Sequence, residues 1–392
     1  MKILALNSGS SSIKYRLFDS GNFLMLRQGL AERIGQKTSS ICQIEENQPA
    51  RHEEIALPDY RTAIHALFSE KSLSGIEAMG HRVVHGGEQF KGPTLVDSKV
   101  IKDISELAKF APLHCQPNVI GIEMLRELLP DIPHVAIFDT ATHATMGSKA
   151  YLYGLPFEYY EKHKIRKYGF HGINHAYVAQ EASRLLKKRF EELKIVTCHL
   201  GNGCSINAFE KGKSIDNSMG LTPLEGLVMG TRCGDLDPSV VIYLIEELGL
   251  PPQQVTDLLN KKSGLLGLCG KSDMRDIIAM AKGGDTRSQI AIELFVYRVQ
   301  KYIGAYIAAL NGIDAIIFSG GIGENSSHIR NLIARNFSYV GAHVEPSANE
   351  NNKSIFSTTD SPVVLMTIPA NEEKVIAQQT YQLLKQNEKV KI

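Results

Sequence analysis

KILALNSGSSSIKYRLFD, residues 2–19, decides the reading of the fold. Lys2 to Leu6 alternate as a strand, and Ile13 to Asp19 read as its antiparallel partner. Between them Asn7 to Ser12 make a turn of small residues, where main-chain N–H groups and hydroxyls can approach an oligophosphate and Lys14 supplies positive charge. The same grammar returns about 195 residues later, as Ile195 to Leu200, then Gly201-Asn202-Gly203, then Cys204 to Phe209. A second pair, Ala136 to Phe138 running into Asp139-Thr140 and Ala315 to Phe318 running into Ser319-Gly320-Gly321, is offset by about 180 residues. Two such offsets suggest an internal duplication: two α/β domains of like topology, each contributing small-residue turns to one nucleotide cleft. The last of these turns, Ser319 to Asn325, opens onto a helix and so carries the dipole that favours an anion.

A chain of 392 residues, 43% of them hydrophobic, suits two domains of ordinary size. Its net charge of +1 gives no bulk reason to bind nucleic acid or an anionic membrane, so a small ligand is expected. The six cysteines are scattered without zinc-like spacing and read as free thiols in a reducing cytosol. No segment approaches the roughly 20 apolar residues of a membrane span, and the chain reads as cytoplasmic.

Apolar stripes at helical spacing predict helices over 105–110, 117–129, 175–190, 238–248, 253–259, 287–310, 325–336 and 372–384. Strands alternating with these helices predict a mixed or parallel sheet covered on its faces. The polar, turn-rich stretch 347–361 reads as a surface excursion. The last helix is expected to return to the first domain.

Two arginines sit among glycines, in HRVVHGGE (81–88) and MGTRCGDLDP (229–238), where a planar anion could be forked. Histidines cluster in similar settings at His114, His143, His171, His175 and His199. Zinc is disfavoured, because the glutamate of H-E-x-x-H is missing and Gly172 is a poor helix residue between ligands. A Walker A loop is absent too: Gly264 to Ser272 has one residue too many. The residues therefore point to a nucleotide site built from hairpin turns, with donor histidines beside a transferring phosphoryl group and core histidines as the alternative for His85, His143 and His175.

In order along the chain, LNSGSSSIK (6–14), HRVVHGGE (81–88), APLH (111–114), FDTA (138–141), YGFHG (168–172), HLGNG (199–203), TPLEGLVMGTR (222–232), GDLDP (234–238), SGGIGENS (319–326) and NEE (371–373) closely resemble the acetate kinase family. That resemblance implies two duplicated ribonuclease-H-like domains of the actin-like ATPase superfamily around a central nucleotide cleft. Residues 1–145 with 373–392 would form the first domain and 146–372 the second, nucleotide-binding one. It implies ATP and ADP, acetate and acetyl phosphate as substrates, Mg²⁺ with Mn²⁺ as an alternative, and a homodimer.

Carried over by position, the resemblance assigns Arg82 and Arg232 to the carboxylate and the transferring phosphoryl group, His171 to the transition state, and Asp139 to the active site. Asn7 and Glu372 match the magnesium residues. Lys14, His199, Leu200, Gly201, Asn202, Gly203, Asp273, Met274, Arg275, Gly321, Ile322, Gly323, Glu324 and Asn325 match nucleotide contacts, with Ser10 and Ser12 in the first loop and Arg16 just after it. Val84, Leu113, Phe170 and Pro223 match the pocket for the acetate methyl group. The chain departs from the family pattern at Cys115, Gln116, Thr142, Ala144, Ile173, Asn174 and Asn217, which is expected to thin the surroundings of the site. Two alternatives stay open: a propionate-preferring kinase of the same family, and a nucleotide-gated binding protein without phosphoryl transfer.

Overall fold

The computed structural model describes residues 1–392 apart from 10, 46–48, 69, 109–111 and 391–392, and the side chains of 70, 71, 112–114 and 390 are also outside it. Ser10 and the side chains of Leu113 and His114 thus lie outside the described residues. The chain divides into two compact units, Met1–Ala144 with Asn371–Ile392, and Thr145–Ala370.

The first unit is built on β1 (Lys2–Ser8), β2 (Ser12–Asp19), β3 (Leu24–Glu32), β4 (Ser40–Glu45), β5 (Arg51–Glu54), β6 (Ala78–Val83), β7 (Thr94–Leu95) and β8 (His134–Phe138), in the order β5-β4-β3-β2-β1-β6-β8-β7. The second is built on β9 (Ile195–Leu200), β10 (Cys204–Glu210), β11 (Lys213–Asn217), β12 (Ala315–Ser319) and β13 (Val364–Thr367), in the order β11-β10-β9-β12-β13. In each unit a three-strand antiparallel meander continues into two parallel strands: β3-β2-β1-β6-β8 repeats as β11-β10-β9-β12-β13. The fold is therefore α/β and duplicated, as the first repeat predicts.

The second predicted repeat is mispaired. By position in the sheet, Ala136 to Phe138 in β8 corresponds to β13, whereas Ala315 to Phe318 in β12 corresponds to β6. An apolar run meeting a small turn marks the end of any buried parallel strand, so local pattern cannot say which strand it is. Hydrogen-bond register can.

Burial explains the strand residues. Leu4, Leu6, Ile13, Tyr15 and Met79 pack with Ala63, Ile64 and Leu67 of helix Tyr60–Leu67 and with Met124 and Leu125 of helix Pro112–Leu128. In the second unit Ile195, Phe209, Ala315, Ile317 and Met366 pack with Val178, Ala179 and Ala182 of helix Gly172–Leu186. Each of the larger ones, the leucines, isoleucines, methionines and Phe209, contributes about 1.5 to 3 kcal/mol by leaving water. The final helix, Glu372–Val390, packs on β1 and β6, as expected of a returning segment.

Helix boundaries follow caps rather than stripes. The helix expected at 105–110 is Ser98–Leu107, because the Asp97 side chain accepts from the Val100 N–H and starts it earlier. That expected over 325–336 is Ser327–Ala334, started by Ser326, whose hydroxyl accepts from the Ile329 N–H, with a separate short helix Gly320–Asn325 before it. Stretch 347–361 is largely exposed, as expected of a surface excursion, but it is pinned at Ala348, Asn349 and Phe356, which are buried, and Asn349 holds a buried arginine.

Candidate active site

In the first unit the predicted residues gather at the C-terminal ends of the parallel strands, where open α/β sheets bind ligands. Arg82 near the end of β6 donates from Nε (3.1 Å) and Nη2 (2.6 Å) to Oδ2 of Asp139, the residue that follows β8. Its Nη1 donates to Oδ1 of Asn7 on β1 at 2.9 Å, and the Asn7 amide donates to Glu372 at 3.0 Å. Four residues distant in sequence thus form one network. Burial weighs against the Arg82 charge, but Asp139 and Glu372 outweigh it and raise its pKa above the ordinary arginine value.

Lys14 and Arg16 on β2 both reach the buried carboxylate of Glu373, at 3.0 and 3.5 Å. Glu373 was not singled out by its chemistry in the sequence, because only the return of the last helix brings it beneath β2. Val84 is buried, and its N–H donates to Asn118 Oδ1 at 2.9 Å. The Asn118 amide donates in turn to the Ser8 carbonyl, fixing the first loop. Tyr60 also donates to that loop, at the Gly9 carbonyl.

The second unit brings His171, Gly203 and Arg232 to one point. A Cβ placed on Gly203 would lie 3.5 Å from both His171 Nε2 and Arg232 Nη1. His171 precedes helix Gly172–Leu186 with φ 55°, a left-handed conformation unusual for a residue with a side chain. Arg232 Nη1 donates to the Pro223 carbonyl at 3.1 Å. Burial lowers the Arg232 pKa from the ordinary value.

Gly264, dismissed above as part of a failed phosphate loop, instead holds the Arg232 turn. It has φ +62°, and a Cβ there would run into the carbonyls of Met229 and Arg232. Leu265 and Leu266 donate N–H groups to Met229 and Gly230, each at 2.9 Å. Close backbone approach, not phosphate, explains that glycine.

Phe170 is buried, and Asn217 brackets its backbone, accepting from the Phe170 N–H and donating to its carbonyl. Asn174 donates to His199 Nδ1 at 2.8 Å and to Ser319 Oγ at 3.2 Å. At Asn217 the surroundings are bonded rather than thinned; at Asn174 the amide nitrogen is bonded while its Oδ1 is buried without a partner among the described residues.

A cavity of about 420 Å³ in the same unit is lined by Gly201, Asn202, Asp273, Met274, Arg275, Gly321, Ile322 and Asn325, together with Ser272 and Ile278. Its size suits a nucleoside. Asp273 caps helix Met274–Lys282, and its carboxyl is held down at about 2 by the Arg275 side chain and N–H. Leu200 and Gly323 are buried beneath the turns, and Glu324 accepts from the N–H groups of Gly320 and Ala370, both at 2.8 Å. Arg330, fully buried, donates to the carbonyls of Gly323 (3.0 Å) and Glu324 (2.8 Å) and to Asn349 and Asn352.

The sequence profile of the acetokinase family matches residues 2–378. The chain belongs to the acetokinase family. Among acetokinase relatives, an acetate kinase of Carboxydothermus hydrogenoformans is 48% identical, over 98% of this chain and 99% of its own. A propionate kinase structure from Francisella tularensis superposes with a TM-score of 0.92 at 40% identity, covering 97% of this chain and 99% of that one. The acetate kinase structure of Porphyromonas gingivalis gives 0.90 at 38% identity, over 98% and 99% of the two chains. As an acetokinase, the chain is an ATP-using kinase. Among the described residues, no helix is long and apolar enough to cross a membrane.

Proposed function

We propose that this protein transfers the γ-phosphoryl group of ATP reversibly to acetate, giving acetyl phosphate and ADP. The observation that carries the reading is the double hydrogen bond from Arg82 to Asp139. A carboxylate engaged by guanidinium orients a cation and is poorly placed to deprotonate an alcohol. An acceptor already ionised at neutral pH needs no base, and a carboxylic acid is such an acceptor.

The difficulty is repulsion between two anions. Arg82 neutralises the acetate carboxylate, Arg232 the transferring phosphoryl group, and His171 donates to an equatorial oxygen. Lys14, Ser12 and the turns His199–Gly203 and Gly321–Asn325 hold the phosphates, and Asp273 to Arg275 border the nucleoside. Val84, Phe170 and Pro223 border the acetate methyl group, and the bulk of Val84 favours acetate over propionate.

Mg²⁺ binds through one or two carboxylates plus substrate phosphates and water. Glu372 and the Asn7 carboxamide are hard oxygen donors of the right kind, although no cluster of three or more acidic, histidine or cysteine residues suited to a metal occurs among the described residues. Glu372 and the Asn7 carboxamide, whose Oδ1 here accepts from Arg82, would hold an ion carried by the nucleotide. Such an ion would supply charge neutralisation on the phosphates.

We also propose a cytoplasmic homodimer. Helix Pro238–Glu246 is apolar yet buries no residue, with Val240, Ile242 and Tyr243 exposed, and a second copy would cover it. Light scattering on a sizing column reads the assembly directly.

Trapping acyl phosphate with hydroxylamine tests the reaction. Acetate should give hydroxamate with the highest kcat/KM among acetate, propionate and butyrate. A clear preference for propionate moves the chain to the other kinase activity, and no hydroxamate from any short acid leaves only nucleotide-gated binding.

A further inference from the structure

Thr197, His175, Ser205 and His171 form a hydrogen-bonded file inside the second unit. His175 Nδ1 lies 2.7 Å from Thr197 Oγ1, His175 Nε2 lies 2.7 Å from Ser205 Oγ, and Ser205 Oγ lies 2.8 Å from His171 Nδ1. Thr197, His175 and Ser205 are each 0% exposed. Only His171, half-buried, reaches the point it shares with Arg232 and Gly203.

Hydrogen counting restricts this file. Ser205 has one hydroxyl proton, so it donates to one imidazole and accepts from the other. With both imidazoles neutral, either every donor points toward Thr197 or every donor points toward His171. The Arg232 guanidinium bordering the same point disfavours a second cation, which leaves His171 as a neutral ring with one N–H.

Were that proton on Nδ1, Nε2 would present a lone pair where Arg232 gathers an anion, and two acceptors would face each other. With the proton on Nε2 the ring donates instead. Then Nδ1 must accept from the Ser205 hydroxyl, Ser205 from His175 Nε2–H, and His175 Nδ1 from the Thr197 hydroxyl. Each proton in the file then has an acceptor.

We propose that Ser205 and His175 are positioning residues that hold His171 as its neutral Nε2–H tautomer, so that it donates to the transferring phosphoryl oxygen. This rests on the phosphoryl-transfer reading above. The left-handed backbone at His171 aims the ring, and the file sets which nitrogen carries the proton. Neither Ser205 nor Thr197 belongs to any motif that marks the site in the sequence.

The experiment is long-range ¹H–¹⁵N spectroscopy of the full-length, ¹⁵N-histidine-labelled protein near pH 8, with His171 assigned by its loss in His171→Gln. The expected spectrum shows His171 protonated at Nε2 and accepting at Nδ1. In Ser205→Ala the Nδ1–H form should appear, with kcat down about 10- to 100-fold and both KM values within about threefold. A Nδ1–H ring in the unsubstituted protein, or an unchanged tautomer in Ser205→Ala, overturns the proposal. Should Ser205→Ala fail to fold, the unsubstituted spectrum and the near-isosteric Thr197→Val, expected to admit the Nδ1–H form, decide the same question. The tautomer is read without turnover, so a failure of the reaction itself appears separately in the hydroxamate assay.

Discussion

Asp139 receives Arg82 at 2.6 and 3.1 Å on the same carboxylate oxygen, and it does so from a position with 0% exposure. The pair links the ends of β6 and β8, so a charge on one strand aims a charge on its neighbour. Asp139→Asn should leave the guanidinium without its counter-charge, lower kcat by about 100-fold or more and cost about 3 kcal/mol of stability. Steady-state hydroxamate kinetics and urea unfolding check the two effects, and an unimpaired kcat would remove Asp139 from the site.

Gly264→Ala adds a single methyl group far from any phosphate turn in sequence. It must displace the carbonyls of Met229 and Arg232 and hold alanine at φ +62°. We expect a loss of about 1 to 3 kcal/mol and at least a tenfold fall in kcat, because the Arg232 turn moves. Thermal unfolding and kinetics together report it.

Arg330 joins the end of helix Gly320–Asn325 to Asn349 and Asn352 from a fully buried position, where desolvation lowers its pKa to about 10. Arg330→Met should leave the carbonyls of Gly323 and Glu324 unpaired and loosen the turn that borders the cavity. The KM for ATP should rise several-fold more than the KM for acetate, with a stability loss of about 3 kcal/mol. Equal effects on both substrates would place Arg330 outside nucleotide binding.

His81 and His134 form a buried stacked pair with Nε2 of the first 2.9 Å from Nδ1 of the second. Burial lowers both pKa values, and for His81 the neighbouring His134 adds to the effect. The folded state therefore binds fewer protons than the unfolded chain below the usual histidine value of about 6.5. Stability from this pair is full above that value and is lost as pH falls beneath it. Urea midpoints measured from pH 8 to pH 5 should drop, and the drop should be shallower in His134→Gln; equal slopes would assign the acid sensitivity elsewhere.

The alternation in β1 and β2, the small turns and the arginines among glycines were legible because strand period, turn chemistry and anion recognition are local properties of adjacent residues. They carried the α/β class, the duplication and the family. Helix starts were less legible, since a single capping side chain such as Asp97 or Ser326 outweighs the apolar stripe.

Ser205, Asn118 and Gly264 were invisible as site residues for a different reason, and Glu373 was marked only by the NEE string. Each acts on a partner brought near by the packing of elements distant in sequence, and a chain read in sequence contains no such distances. The amino-acid order determined which chemical groups are present and which turns can cradle phosphate. Only the packed sheets decided which hydroxyl meets His171 and which carboxylate pins Arg82, because hydrogen bonds depend on angstrom-scale proximity that tertiary contacts alone create.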